Sequence, residues 1–309
     1  MRNKIICIVG PTASGKTSLA IAVAKKNNGE IISADSMQIY KGLNIGTAKV
    51  TKKEMQEVPH HMIDICNIGD NFSVADFKVM CYHKADDIIK KGKNPVIVGG
   101  TGLYISAIVN NMQFDNQEVD FEYRNFLENF EKDGKSQLLY EMLQKIDPLS
   151  AKQIHPNNVK RIIRALEIAK FSDKLKSKHM ELEKCRIQNE EKKYDFLIYY
   201  IDTKRDELYK RIDNRVDDMI NMGLIDEAKM VYNMNLSPKV TCMQAIGYKE
   251  IFPFFKGEKS IEDCIDKLKQ ETRKYAKRQE TWFKNKLNIK YISLKDGVEK
   301  AAYLITKNI

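Results

Sequence analysis

No apolar run in this chain approaches the roughly 20 residues that a helix needs to cross a bilayer. A signal peptide is not expected either. Met1-Arg2-Asn3-Lys4 runs straight into the strand-like Ile5-Ile6-Cys7-Ile8-Val9, without the longer apolar stretch and small-residue cleavage site of such a leader. A soluble, cytoplasmic protein without membrane contact is therefore expected. Cysteine is scarce. Cys7, Cys66, Cys81, Cys185, Cys242 and Cys264 are scattered and no pair has C-x-x-C spacing, which argues against a zinc site or redox motif and for reduced, mostly buried thiols. Internal repeats, low-complexity tracts and sustained heptads are absent as well.

What is present is a chain of 309 residues, 43% hydrophobic, long enough for one large α/β domain with an insertion or for two domains. Lys plus Arg number 52 against 42 Asp plus Glu, a net charge of +10. Such an excess suits a polyanionic partner, although a Lys-rich surface also serves solvation alone.

The first elements read as strand, glycine-rich turn and helix: Ile5–Val9, Gly10–Gly15, then Leu19, Ala20, Val23 and Ala24 at helical spacing. A second strand, Glu30–Ser33, ends at Ala34-Asp35. Ser73 and Asp76 form a capping-box pattern opening a helix to about Lys91, with Gly92 as terminator. Pro95-Val96-Ile97-Val98 is the next buried strand. From Asp120 to about Glu191 the periodicity is helical and charge is dense, as in Lys174–Lys178 and Glu190–Lys193. A strand resumes over Phe196–Ile201. Helices over Lys204–Met222 and Ile261 to about Lys286 follow, and Tyr291–Leu294 reads as a last strand.

Gly10-Pro11-Thr12-Ala13-Ser14-Gly15-Lys16-Thr17 fits G-x-x-x-x-G-K-[ST] between a strand and a helix. Its glycines let backbone N–H groups turn around phosphate oxygens, the helix N-terminus adds partial positive charge, Lys16 supplies a cation, and the Thr17 hydroxyl is placed to ligate Mg²⁺. The residues Gly10, Thr12, Ala13, Ser14, Gly15, Lys16 and Thr17 are thus expected to bind phosphate. The expected fold is α/β, a P-loop NTPase-like parallel sheet flanked by helices with an inserted all-helical domain. Residues 1–113 and 192–309 make the P-loop core and 114–191 the insertion.

The motif does not name the reaction. The acid that usually closes a later strand in nucleotide hydrolases is missing, since Val96-Ile97-Val98 runs into Gly99-Gly100-Thr101. Asp35 follows the second strand, and parallel sheets bind ligands beyond the C-terminal strand ends. The P-loop, Asp35 and Thr101 should therefore share one crevice. By position alone Asp35 is equally a helix cap, a group reaching Mg²⁺ only through water, or a catalytic carboxylate.

Further blocks join these in order: Asp35-Ser36-Met37-Gln38-Ile39-Tyr40-Lys41-Gly42, Ile45-Gly46-Thr47-Ala48-Lys49, His60-His61-Met62-Ile63-Asp64, Ala75-Asp76-Phe77 and Val98 to Tyr104. Later come His155-Pro156-Asn157 with Arg161 to Glu167, Arg215-Val216-Asp217 with Met219 and Gly223-Leu224, Ala245 to Glu250, and Thr272-Arg273 with Tyr275 to Gln279 and Thr281-Trp282-Phe283. This ordered set resembles the tRNA dimethylallyltransferases, also called tRNA isopentenyltransferases, over nearly the whole chain. Relatives often have a Gly where this chain has Ser172-Asp173, and the Lys-rich stretch that follows is unlike them, so no role is carried onto 174–193. Eukaryotic members add a zinc finger that lacks a counterpart here, so the bacterial form is expected.

The resemblance implies that the P-loop holds the diphosphate of dimethylallyl diphosphate, with Mg²⁺ as cofactor. The group would be transferred to N6 of the adenosine just 3′ of a tRNA anticodon. Asp35 would orient the amine and take its proton, and Thr101 would donate to the bridging or leaving oxygen. An arginine after the last core strand would contact the diphosphate. Arg211 and Arg215 sit at i and i+4; the motif favours Arg215, against a surface salt bridge with Asp217 or Asp218. Asp35, Ser36, Met37 and Gln38 would read an extruded adenine. Lys160, Arg161 and Arg164 in the insertion, and Lys269, Arg273, Lys277 and Arg278 on the late helix, would grip tRNA phosphates. Tyr275, Trp282 and Phe283 are expected in the core rather than stacked on bases. A monomer is expected. The rival expectations are a P-loop nucleoside or small-molecule kinase using ATP, and a non-catalytic RNA-binding ATPase.

Overall fold

The computed structural model describes residues 2–114, 120–171, 193–238 and 240–307. Six strands form one sheet: β1 (Lys4–Val9), β2 (Gly29–Ser33), β3 (His60–His61), β4 (Asn94–Gly99), β5 (Asp195–Ile201) and β6 (Lys290–Ile292), in the order β3-β2-β4-β1-β5-β6. Every pairing is parallel.

A parallel sheet must be covered on both faces. Strand β1 shows how the sequence arranges this. Ile5, Cys7 and Val9 enter one core and Ile6 and Ile8 the other, the two-residue alternation of a strand. On the second face lie α1 (Lys16–Lys26) and the C-terminal α13 (Val298–Thr306). On the first lie α3 (Val74–Lys90), α4 (Gly102–Val109), α9 (Arg205–Asn221), α10 (Leu224–Asn233) and the long α12 (Ile261–Lys286). Short helices α2 (Lys52–Met55) and α11 (Phe252–Phe255) sit between larger elements. Among the described residues, no helix is long and apolar enough to cross a membrane.

Local signals account for the boundaries. Ser73 accepts from the Asp76 amide while the Asp76 carboxylate accepts from the Ser73 amide, so both halves of the capping box are made. Ser260 caps α12 through the Asp263 amide at 3.1 Å. Register then sets the site. Val9 pairs with Gly99 and with Tyr200, and Ser33 pairs with Val98. The chain therefore leaves β1, β2 and β4 along one edge, at Gly10, Ala34 and Gly100.

The described chain divides into two compact units, Met1–Asn110 with Lys192–Ile309, and Asn111–Glu191. The described elements of the second unit are helices: α5 (Phe121–Lys132), α6 (Ser136–Ile146), α7 (Pro148–Gln153) and α8 (Val159–Phe171). Leu127, Leu139, Leu143, Ile162 and Leu166 form its core. Glu167 is buried and meets Arg124 through two hydrogen bonds, at 2.5 and 2.8 Å, and Arg164 at 3.3 Å. The departures at Ser172-Asp173 and nearly all of the Lys-rich stretch lie outside the described residues.

Candidate active site

The P-loop turns tightly between β1 and α1. Ala13 and Gly15 take left-handed backbone angles (φ +61° and +92°), the conformation that curls successive N–H groups toward one point. Ser14 is buried in this turn, and its hydroxyl makes no hydrogen bond among the described residues. Lys16 folds back to donate to Pro11 O at 2.6 Å. Burial lowers its ammonium to a pKa of about 7; neighbouring Arg215 pushes in the same direction, and Asp35 opposes both.

Asp35 begins the turn after β2. Its Oδ1 accepts from the amides of Met37 (2.9 Å) and Gln38 (3.3 Å). One oxygen therefore caps the turn, as its position alone allowed, while among the described residues Oδ2 makes no hydrogen bond. The Gln38 amide donates to Thr47 O and Ala48 O, both at 3.2 Å, so its donor end is occupied by a neighbouring loop.

A cavity of about 360 Å³ brings together Thr12, Lys16, Thr17, Asp35, Ser36, Met37, Gln38, Arg215 and Arg278. Arg215 is half-buried, and among the described residues it has no carboxylate within salt-bridge distance. Asp217 pairs instead with Lys269 at 2.6 Å. Burial pulls the Arg215 guanidinium below its ordinary value, while Asp35 and then Glu54 hold it up. Arg211 is exposed and paired with Glu207 on its own helix; it stays out of this cavity but lines a neighbouring one together with Arg215.

A larger cavity of about 1050 Å³ opens on the other side of Lys16, Thr17, Ala48, Arg215 and Met219, which line both. The P-loop cation and Arg215 thus stand where two spaces meet. The wall between them includes the loop at residues 44–48. The Glu227 carboxylate accepts from the amides of Asn44, Ile45 and Gly46 at 2.9 Å each and from the Tyr248 hydroxyl at 2.8 Å. Gly46 is required here, because a Cβ would lie 2.6 Å from the Tyr248 ring.

Three expected residues are placed differently. Thr101 is not among the cavity-lining residues; its hydroxyl accepts from the Ser36 amide at 3.1 Å, which puts it behind the turn that carries Asp35. Tyr275 lines the cavity beside Asp35 and is not a core residue, because α12 aims this position at the strand ends; Phe283 is fully buried as expected. Arg273 pairs with Asp213 across to α9, which reduces its freedom to meet another anion. Lys277 and Arg278 are exposed on α12. Lys160, Arg161 and Arg164 are exposed on α8 of the second unit. Two residues were missed altogether. Glu227 and Gln279 carried no catalytic pattern, although Gln279 lies inside a family-like block.

Sequence comparison decides the relationship. The family model for IPP transferase matches residues 38–286. The chain belongs to the IPP transferase family. Among its relatives, the tRNA dimethylallyltransferase of Thermoanaerobacter sp. (strain X514) is 47% identical over 296 residues, 96% of this chain and 93% of that one. The crystal structure of the full-length tRNA isopentenylpyrophosphate transferase from Bacillus halodurans superposes with a TM-score of 0.73 at 41% identity, covering 99% of this chain and 96% of that one. A eukaryotic dimethylallyltransferase acting on tRNA gives a TM-score of 0.81 at 30% identity, covering 99% and 79%. IPP transferase membership therefore extends over both units of the chain.

Proposed function

We propose that this enzyme transfers a dimethylallyl group from dimethylallyl diphosphate to N6 of the adenosine just 3′ of a tRNA anticodon, releasing diphosphate. The observation that carries the reading is one cavity in which a phosphate-binding turn, the cations Lys16, Arg215, Lys249 and Arg278, and the Asp35 carboxylate with an unspent oxygen line the same space. The adenine enters this smaller cavity. The diphosphate lies on the P-loop, where the larger cavity opens.

In this reaction the allylic C1–O bond breaks, and its electron pair leaves with the diphosphate while N6 bonds to C1. Negative charge grows on the departing oxygens. The inward amides of the P-loop, Lys16 and Arg215 stabilise it. The Ser14 hydroxyl, buried without an internal partner, suits an anionic oxygen. Thr101, behind the Asp35 turn, positions that turn by accepting from the Ser36 amide. Asp35 accepts the proton that N6 must lose, through Oδ2, while Oδ1 keeps the turn in place. Ser36, Met37 and Gln38 line the pocket around the base.

The donor set also fits Mg²⁺. Thr17 lines both cavities, and among the described residues its hydroxyl makes no hydrogen bond. Thr17 and the diphosphate oxygens would hold the ion, which when bound offsets charge on the leaving group.

Exposed Lys160 and Arg161 on α8, with Lys277 and Arg278 on α12, supply the phosphate contacts to tRNA; Arg164 and Arg273 contribute less because of Glu167 and Asp213. The tRNA substrate supports the cytoplasm as the working place. The test is Asp35→Asn in single-turnover prenyl transfer at saturating tRNA across a Mg²⁺ series. A loss of roughly two to four orders of magnitude with tRNA binding intact is expected of a positioned base. A near-wild-type rate, or full rescue by Mg²⁺, would remove Asp35 from that role.

A further inference from the structure

Two loops must hold one shape for the cavity to exist, the P-loop and the Gly99–Thr101 turn after β4. Their strands last pair at Val9 and Gly99, and beyond that pair a side chain bridges the two loops. Gln279 of α12 is 5% exposed, accepts from the Thr12 amide through Oε1 at 2.8 Å, and donates from Nε2 to Gly100 O at 2.9 Å. Gly100 admits it, since a Cβ there would lie 2.2 Å from Nε2. Tyr275, one turn earlier on the same helix face, meets the Thr101 hydroxyl and the Gln279 side chain and stands beside Asp35.

We propose that Gln279 is a positioning residue: it fixes the opening turn of the P-loop against the β4–α4 loop and so sets the shape of the diphosphate cradle. The claim rests on reading that cradle as the diphosphate site. Thr12 spends its amide on Gln279, so the anion is left to the amides from Ala13 onward and to the side chains of Ser14, Lys16 and Thr17. The position demands one acceptor and one donor in a single planar group of this length. Glutamine offers both; methionine offers neither, and an ionised glutamate offers only acceptors and sets one against Gly100 O. The charged and titratable groups lining the same cavity are Lys16, Asp35, Arg215, Lys249, Arg278 and the Tyr275 phenol.

The test uses Gln279→Met and Gln279→Glu in the full chain with three readouts. These are hydrogen exchange of the P-loop segment without ligand, calorimetric affinity for inorganic diphosphate with Mg²⁺, and steady-state prenyl transfer against pH. Gln279→Met should speed P-loop exchange. It should also weaken diphosphate binding and raise KM for the prenyl diphosphate, each by roughly three- to tenfold, the effect of losing one or two buried hydrogen bonds. Affinity for tRNA should not change. Gln279→Glu should behave likewise at about pH 8 and recover relative to wild type toward about pH 6, because a protonated carboxyl again offers a C=O to Thr12 and an O–H to Gly100. A purely packing role would leave no such pH dependence. Unchanged exchange and diphosphate affinity in Gln279→Met, or a pH-independent deficit in Gln279→Glu, would overturn the proposal. If both binding readouts respond while wild-type protein transfers no prenyl group, the functional reading fails and the positioning role stands.

Discussion

Loading the cradle should put a proton on Lys16. In the free protein its ammonium is lowered to a pKa of about 7, by burial first and then by Arg215. A group at that value is roughly one-tenth protonated at about pH 8 and nine-tenths protonated at about pH 6. A bound diphosphate places several negative oxygens against it and raises the pKa of the bound state. The sign follows directly: binding draws protons from solution when the bound pKa exceeds the free one. The uptake should approach ~0.9 proton per site at about pH 8 and fall to ~0.1 at about pH 6. Above about pH 7 the apparent affinity should therefore weaken toward tenfold per pH unit. The ligand adds little at pH 8, because a terminal phosphate with a pKa of about 6 is already ionised there. The assay is calorimetry of dimethylallyl diphosphate with Mg²⁺ and no tRNA, repeated in buffers of different ionisation enthalpy. Lys16→Arg should abolish the uptake while keeping charge, since arginine stays protonated. Lys16→Met should abolish both uptake and most of the affinity. Equal uptake in wild type and Lys16→Met, or none at pH 8, would refute the argument that this ammonium is desolvated and titrates on binding.

Three further outcomes follow from the geometry. Arg215→Ala should lower kcat/KM for the prenyl diphosphate by roughly two to three orders of magnitude, as expected for a half-buried cation at a leaving group, while Arg211→Ala, which removes an exposed cation already paired with Glu207 at the rim of the larger cavity alone, should change it by less than about threefold. Equal effects in steady-state kinetics would cancel the distinction. Gly46→Ala should cost about 1–3 kcal/mol in urea unfolding, because the new methyl collides with the buried Tyr248 ring; unchanged stability would show that the ring gives way. Binding of tRNA should fall steeply with salt. Arg161→Ala should flatten that slope by roughly 0.7–0.9, one phosphate contact, whereas Arg273→Ala, already paired with Asp213, should flatten it less.

Elements with strong local signals were legible in the sequence. The buried runs β1, β4 and β5, the Ser73 box and the 26-residue α12 announce themselves through apolar pattern and caps. Strand β3 has two residues and α2 four, too short for any period to register. The meeting of Lys16 and Asp35 followed from the rule that strand ends converge, and Arg215 came in only through the family resemblance. The detailed bonding did not follow, because it depends on partners far apart in the chain. Gln279 reaches Thr12 across 267 positions and Glu227 reaches Gly46 across 181. Neither distance leaves a mark on local composition. Tyr275 looked like a core aromatic because its helix is amphipathic; only its place over the strand ends turns it toward the cavity. Thr101 was aimed at the leaving group by its position after β4, yet its hydroxyl is held by the Ser36 amide at 3.1 Å.

The most direct test of the whole account offers the purified protein dimethylallyl diphosphate and ATP together, with Mg²⁺ and unmodified tRNA. The RNA is then digested and its nucleosides identified by mass spectrometry. The account predicts one adenosine, just 3′ of the anticodon, carrying a five-carbon alkenyl group on N6, with diphosphate released in equal amount and ATP unconsumed. Phosphate on the RNA, ATP turnover stimulated by tRNA, or adenosine left unmodified by active, folded protein would contradict it.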